Sequence, residues 1–336
     1  MSAKLFVLAL AMIAAAGAAR ADTLGDVKAR GDVLCGTTGS PAGFSATSTG
    51  QGWSGLGADF CRALAAVIFN DPGKVQFVTL APDERVTALT SRKVDLLADL
   101  VPWTLTTDTE QGLKFIGTLF YDGQGFLAPK AENLRSARDL GGKAVCVEAG
   151  TPAAANAAEY FDANNISAHL MPLAGHDAAV AAYLAGTCAA YSADSSALAG
   201  LRASLPTPAD HVLLPDVITK QPLAVVVRQG DNRWFDVARW TLYGLLDAEE
   251  LGVTQTNVDE MLGSDNISVR RLLGVESDFG TELGLNKDWA YQLIKGVGNY
   301  ADIYERNVGE QTPLKLPRGL NALWSKGGIQ YSPPVR

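Results

Sequence analysis

The sequence predicts an α/β protein built as two lobes around a cleft, and three observations predict it. A strand–helix–strand–helix–strand order occurs twice along the 336 residues. Two extended apolar runs fall where the chain could cross between the units. The composition, 47% hydrophobic and only 19% charged, supplies ample core for two domains of ordinary size. A formal net charge of −8 and a pI near 5.0 exclude a phosphate-backbone binder, which needs a basic footprint, so no nucleic-acid partner is expected.

The chain opens on a segment to set aside. Lys4 precedes a 15-residue apolar run, Leu5 to Ala19, and Ala19-Arg20-Ala21 gives a small-x-small cleavage site. Residues 1–21 therefore read as a secretory signal. The run falls short of the roughly 20 apolar residues that span a bilayer, and the mature product is expected to be exported and soluble.

In the first unit Val33-Leu34-Cys35-Gly36 is a strand, followed by a Gly/Ser/Thr-rich loop from Thr37 to Gly55. Leu56, Phe60, Leu64 and Val67 then recur at helical spacing. Val75 to Leu80 is a second strand, Glu84 to Ser91 a short helix and Val94 to Ala98 a third strand. The second unit repeats the order. Its elements are strand Ala144 to Glu148, an Ala-rich helix from Pro152 to Phe161, strand Ala168 to Pro172, helix Asp177 to Ala185 and strand Cys188 to Ser192. Such alternation implies largely parallel sheets. Phe120 to Leu127 and Leu223 to Arg228 are the extended connections. Asp231 is placed to cap a long helix whose buried stripe includes Trp234, Val237, Leu242 and Leu245.

Catalytic signatures are missing. There is no GxSxG, HExxH or Walker A sequence, and Gly55-Leu56-Gly57 lacks the third glycine of a dinucleotide fingerprint. No enzyme activity, cofactor or metal is expected. The cysteines Cys35, Cys61, Cys146 and Cys188 have no CxxC spacing, and His169, His176 and His211 do not cluster with them. In an oxidising compartment an even number favours disulfides over buried thiols. Three pairings are possible, of which the in-order one, Cys35–Cys61 and Cys146–Cys188, staples each half separately.

Several stretches together carry a resemblance. They include Asp59-Phe60-Cys61-Arg62-Ala63, Trp103-Thr104-Leu105, Tyr121-Asp122-Gly123-Gln124-Gly125-Phe126, Gly150-Thr151 and Arg228-Gln229-Gly230-Asp231. Later come Glu249-Glu250-Leu251-Gly252-Val253-Thr254-Gln255, Val297-Gly298-Asn299-Tyr300 and Arg318-Gly319-Leu320-Asn321-Ala322-Leu323-Trp324. They cover essentially the whole mature chain. The chain resembles the periplasmic solute-binding proteins of polar or general L-amino-acid ABC transporters (family 3). The resemblance implies a type II clamshell with two crossover strands and a helical C-terminal extension. Lobe 1 would take residues 22–127 and 224–336, and lobe 2 residues 128–223. It also supports the in-order cysteine pairing, a periplasmic location, a monomer, a small polar or amine-bearing solute, and membrane permease subunits as partners.

What the resemblance implies for the site is an amino acid whose carboxylate is clamped by first-lobe hydroxyls and an arginine, and whose ammonium meets a second-lobe aspartate. Asp194 falls at that aspartate and Thr151 at the Gly-Thr turn of the second lobe. Phe44 fits the aromatic wall, with loop packing as its alternative. Trp103 stacks on ligand or joins the core, and Thr104 lines the cleft or merely ends a strand. The clamp arginine, however, is Thr107 here, a second arginine is Asp99, and a clamp hydroxyl is Pro102. Pro152 brings no N–H to the second-lobe turn. Burying a carboxylate without a charged partner costs several kcal/mol, enough to abolish micromolar binding. The expected ligand set is Asp194, Thr151, Thr104, Thr107, Phe44 and Trp103, with an altered specificity for a cationic or neutral amine-bearing solute. A divergent sensor without transport-grade affinity is the alternative. A dehydratase-like enzyme on the same fold would need a cationic clamp and a general acid, which Thr107 argues against. Arg85 and the three histidines are read as structural or as surface residues.

Overall fold

A computed structural model describes residues 22–39, 42–48, 52–109 and 112–336. The predicted signal at 1–21 lies outside the described residues. The strands in chain order begin with β1 (Val33–Thr37), β2 (Ala46–Ser48), β3 (Gly52–Ser54), β4 (Val75–Thr79), β5 (Leu96–Pro102) and β6 (Leu113–Asp122). They continue with β7 (Gln124–Pro129), β8 (Ala144–Glu148), β9 (His169–Leu173), β10 (Ala190–Asp194), β11 (His211–Leu213) and β12 (Gln221–Arg228). Two five-stranded sheets result, ordered β4-β1-β5-β12-β6 and β11-β7-β10-β8-β9, while β2 and β3 form a hairpin within the loop predicted between Thr37 and Gly55.

Each sheet is mixed, and this corrects the largely parallel expectation. β4, β1 and β5 are parallel, whereas β12 runs antiparallel to both β5 and β6. In the second sheet β9, β8 and β10 are parallel, and β7 is antiparallel to β10 and β11. The antiparallel partners are the strands that carry the chain between lobes, so strand–helix alternation does not announce them.

Local chemistry explains the helices that frame the first sheet. Asp231 caps the helix Asn232–Glu250 by accepting from the Trp234 N–H at 3.0 Å, and its other oxygen accepts from the Thr23 N–H at 2.7 Å. Trp234, Val237, Leu242 and Leu245 are all buried as predicted, each contributing roughly 1.5–3 kcal/mol of burial. The helix Leu56–Phe69 begins hard against β5. A Cβ on Gly57 would lie 1.9 Å from the Ala98 carbonyl oxygen, so that glycine serves close packing.

The lobes are joined by two passages, Asp122 to Gln124 and Leu213 to Gln221, a few residues before the expected divisions at 127/128 and 223/224. The run Phe120 to Leu127 is thus two strands in different sheets that meet at Gly123. The passages lie side by side: a Cβ on Gly123 would stand 2.4 Å from the Thr219 carbonyl oxygen. Behind them, the C-terminal extension grips β6. The Asn321 side chain accepts from the Tyr121 N–H at 2.7 Å and donates to the Tyr121 carbonyl at 3.0 Å. From the second lobe, Arg202 donates to the Leu314 carbonyl at 2.6 Å.

Cys35 of β1 is bonded to Cys61 of the adjoining helix, and Cys146 of β8 to Cys188, with Cα separations of 6.1 and 5.6 Å. The bonds close loops of 26 and 42 residues. Replacing Cys35 and Cys61 by alanine should lower the unfolding free energy by about 3.5 kcal/mol, and Cys146 and Cys188 by about 4. Guanidinium titration followed by circular dichroism reads both.

Asp122, the last residue of β6, is buried and accepts hydrogen bonds from the Ser196 hydroxyl and, at 3.3 Å, from the Ser196 N–H. Burial, reinforced by the negative charge of Asp194, pushes its carboxyl up to about 6 against the opposing pull of those donors. The unfolded chain ionises this group first as pH rises, so the folded state loses stability between about pH 4 and 6, and the cost is fully present above 6. Asp122→Asn should therefore stabilise the protein by about 3 kcal/mol at pH 7.5, and the gain should vanish toward pH 4. Paired denaturant curves across that range test it.

Candidate functional site

A cleft of about 640 Å³ opens between the lobes. Pro102 and Thr104 line it from the first lobe. Glu148, Thr151 and Asp194 line it from the second, and Lys220 from the returning passage. The geometry follows from strand register. β8 and β10 are parallel neighbours with Val145 opposite Ala190 and Cys146 opposite Tyr191. Their terminal residues, Glu148 and Asp194, therefore emerge together at the carboxyl edge of the sheet, where open α/β sheets place ligands.

Asp194 precedes the helix Ser195–Ser204 but its side chain makes no capping bond. One carboxylate oxygen accepts from Gln221 Nε2 at 3.2 Å. The side chains of Glu148 and Lys220 make no hydrogen bond or ion pair with any described residue. The floor between them is a closed amide network. Gln124 donates to the Ser192 hydroxyl at 2.9 Å and to the Ala153 carbonyl at 2.8 Å, and accepts from Asn156 at 3.1 Å. Ser192 donates onward to the Gly125 carbonyl at 2.9 Å. The Gln124 amide and the Ser192 hydroxyl are fully engaged in that chain, which fixes the floor between the two acidic strand ends. Thr151 donates its hydroxyl proton to the Glu148 carbonyl at 2.8 Å, which leaves only lone pairs to face the cleft.

The six residues singled out in the sequence do not all converge. Asp194, Thr151 and Thr104 line the cleft; Thr107, Phe44 and Trp103 are not among its lining residues. Thr107 is spent locally. Its hydroxyl accepts from the Thr104 N–H at 2.9 Å and donates to the Pro102 carbonyl at 2.7 Å, while its own N–H donates to Thr104 Oγ1 at 3.2 Å. That reciprocal pairing caps the short helix Leu105–Thr109. Phe44 is buried in the first-lobe core, edge-on to Phe120 with centroids 5.0 Å apart. Trp103 stacks on Phe115 at 5.2 Å. Both rings follow the packing alternatives.

Other groups sit where the sequence did not place them. His176, read as a surface residue without a role, lines the second-lobe wall, its Nδ1 3.3 Å from the Tyr191 hydroxyl. Glu148 ends its strand as Asp194 does, a parallel visible in the sequence. Lys220 is the one lysine or arginine among the described residues that line the cleft. Arg85 turns instead to Asp99, at 4.0 Å, and Lys114 lies 5.2 Å over the Phe235 ring. Asp99 accepts from the Thr37 hydroxyl at 2.7 Å and the Thr38 N–H at 2.6 Å. Burial raises its carboxyl above the ordinary range, partly offset by those bonds and by Arg85.

No protein-family model matches the chain. It is 49% identical over 323 residues to the general L-amino acid-binding periplasmic protein AapJ of Rhizobium johnstonii, across 96% of this chain and 95% of that protein. Identity to the glutamate/glutamine/aspartate/asparagine-binding protein BztA of Rhodobacter capsulatus is 44% over 322 residues, again across 96% of this chain and 95% of that protein. A solved periplasmic binding protein from Brucella ovis with glutathione bound is 50% identical with a TM-score of 0.80, covering 94% of this chain and 100% of that one. An ancestral cationic amino-acid solute-binding protein, 24% identical with a TM-score of 0.55, shares the fold. On the strength of relatives matched almost end to end, this chain belongs to the periplasmic amino-acid-binding proteins of ABC transporters.

Proposed function

We propose that the protein captures an amine-bearing solute in the periplasm for an ABC importer, with a specificity that departs from that of its relatives. Membrane permease subunits receive the closed form, and ATP hydrolysis belongs to a separate partner. The observation that carries this reading is Asp194: a carboxylate at a strand end in the cleft, not used as a helix cap and held by a single amide. An ammonium group is its natural counter-ion, and Thr151, which presents lone pairs to the same cleft, suits such a donor. Pro102 and Thr104 belong to the opposite lobe, so their contacts to a solute form only as the cleft shuts, and binding favours closure.

The departure in specificity rests on the charges. No arginine lines the cleft among the described residues, and Thr107 is engaged in its own helical turn. The relatives' printed ligands, L-amino acids and glutathione, share an α-ammonium group, which is the feature this reading transfers. A hydrogen bond to a charged group contributes about 1.5–3 kcal/mol. Asp194→Asn should therefore weaken binding of amine-bearing solutes by roughly 10- to 150-fold. Calorimetric titration of the oxidised mature protein measures this. Equal binding of wild type and variant, or equal affinity for a dicarboxylic acid that lacks an amine, sinks the reading.

A further inference from the structure

We infer that the solute is a basic amino acid, carrying two cationic groups and one carboxylate, and that Glu148 and Lys220 set this preference. The inference rests on the reading of Asp194 above and extends it to the two remaining charges of the cleft. The lining holds Glu148, Asp194 and Lys220 as its acidic and basic residues, with His176 and Tyr191 as the other titratable groups. Tyr191 is kept neutral by burial and by the nearby negative charges of Glu148 and Asp194, which hold its hydroxyl above the ordinary range. His176 and Tyr191 face each other at 3.3 Å.

Glu148 and Lys220 could have neutralised one another, yet they form no ion pair, and neither side chain bonds to any other described residue. A charged side chain lining a cleft loses solvent when the lobes meet, and leaving it unpaired there costs free energy. The solute that offsets all three charges must bring two positive groups and one negative. An α-ammonium on Asp194, a carboxylate on Lys220 and a terminal ammonium or guanidinium on Glu148 meet that count. Glutamate and glutathione bring one ammonium and two carboxylates, which leaves Glu148 unmatched and adds an anion. A diamine leaves Lys220 unmatched. A neutral amino acid leaves Glu148 so.

The positions support the division of labour. Glu148 and Asp194 end adjacent parallel strands, so they offer two separate anchors along one wall rather than a single shared site. Lys220 lies between Thr219 and Gln221. Thr219 accepts from the Gln124 N–H at 2.9 Å, and Gln221 donates to Asp194. Its backbone is therefore pinned to the floor on both sides while its ammonium group remains free.

The test is calorimetry on the oxidised mature protein with L-arginine, L-lysine, agmatine, L-glutamine, L-glutamate and glutathione. L-Arginine and L-lysine should bind at least tenfold more tightly than the other four. Glu148→Gln should reduce the preference for L-arginine over L-glutamine at least tenfold. Lys220→Gln should reduce the preference for L-arginine over agmatine, its decarboxylated form, by a similar factor. L-Glutamine or glutathione binding as tightly as L-arginine overturns the inference, as does a Glu148→Gln variant whose arginine-to-glutamine ratio is unchanged. The two readings separate through Asp194→Asn. If that variant loses affinity for every amine while basic amino acids show no preference, the aspartate anchor stands and the charge assignment falls. If it binds all six solutes as the wild type does, both fall.

Discussion

The structure depends on the close apposition of two short chain passages. Gly123 can occupy its place beside the Thr219 carbonyl only because it carries no side chain. With the passages in contact, β6 ends where β12 begins in one sheet while β7 starts the other, and the carboxyl edges of the parallel strands are turned toward a common cleft. Any side chain at Gly123 would push the passages apart and take the floor residue Gln124, next in sequence, with it. The site is therefore a product of the hinge, not an addition to it.

Within the cleft, satisfied and unsatisfied polar groups are sharply divided. Gln124, Asn156 and Ser192 use their capacity on one another and on backbone carbonyls. Thr104 and Thr107 satisfy a helix terminus. The charged groups left for a solute are Glu148, Asp194 and Lys220. In the low-dielectric space of a closing cleft such charges discriminate more strongly than neutral hydrogen bonds do. Asp99, the other acid of the first-lobe segment, is withdrawn from this role by Thr37, Thr38 and Arg85.

Much of this was legible in the sequence, for stated physical reasons. The stripe Trp234, Val237, Leu242 and Leu245 and the cap at Asp231 mark a helix because burial and capping act locally. β8 and β10 can be read from short apolar runs, and Asp194 and Thr151 from their place just beyond strand ends. The antiparallel strands were not legible, since strand–helix alternation reports only the parallel ones. Lys220 was missed because a passage residue follows no period. Glu148 carries the same strand-end signal as Asp194, at the close of a strand that is equally legible. Phe44 and Trp103 carry two readings in the sequence, ligand wall or packing, and no local signal separates them: both rings pack within the first lobe, and Thr107 closes a turn with Thr104.

The grip of Asn321 on Tyr121 has a meaning outside the cleft. β6 is the outermost strand of its sheet, and such strands present unpaired main-chain groups that invite a foreign chain to add on. Here a primary amide imitates one residue of a neighbouring strand, filling both the N–H and the carbonyl of Tyr121, while Gln330 covers the Thr118 carbonyl at 3.3 Å. The tail thus blunts this rim with side chains in place of a further strand, protecting it from runaway sheet growth where the protein is abundant.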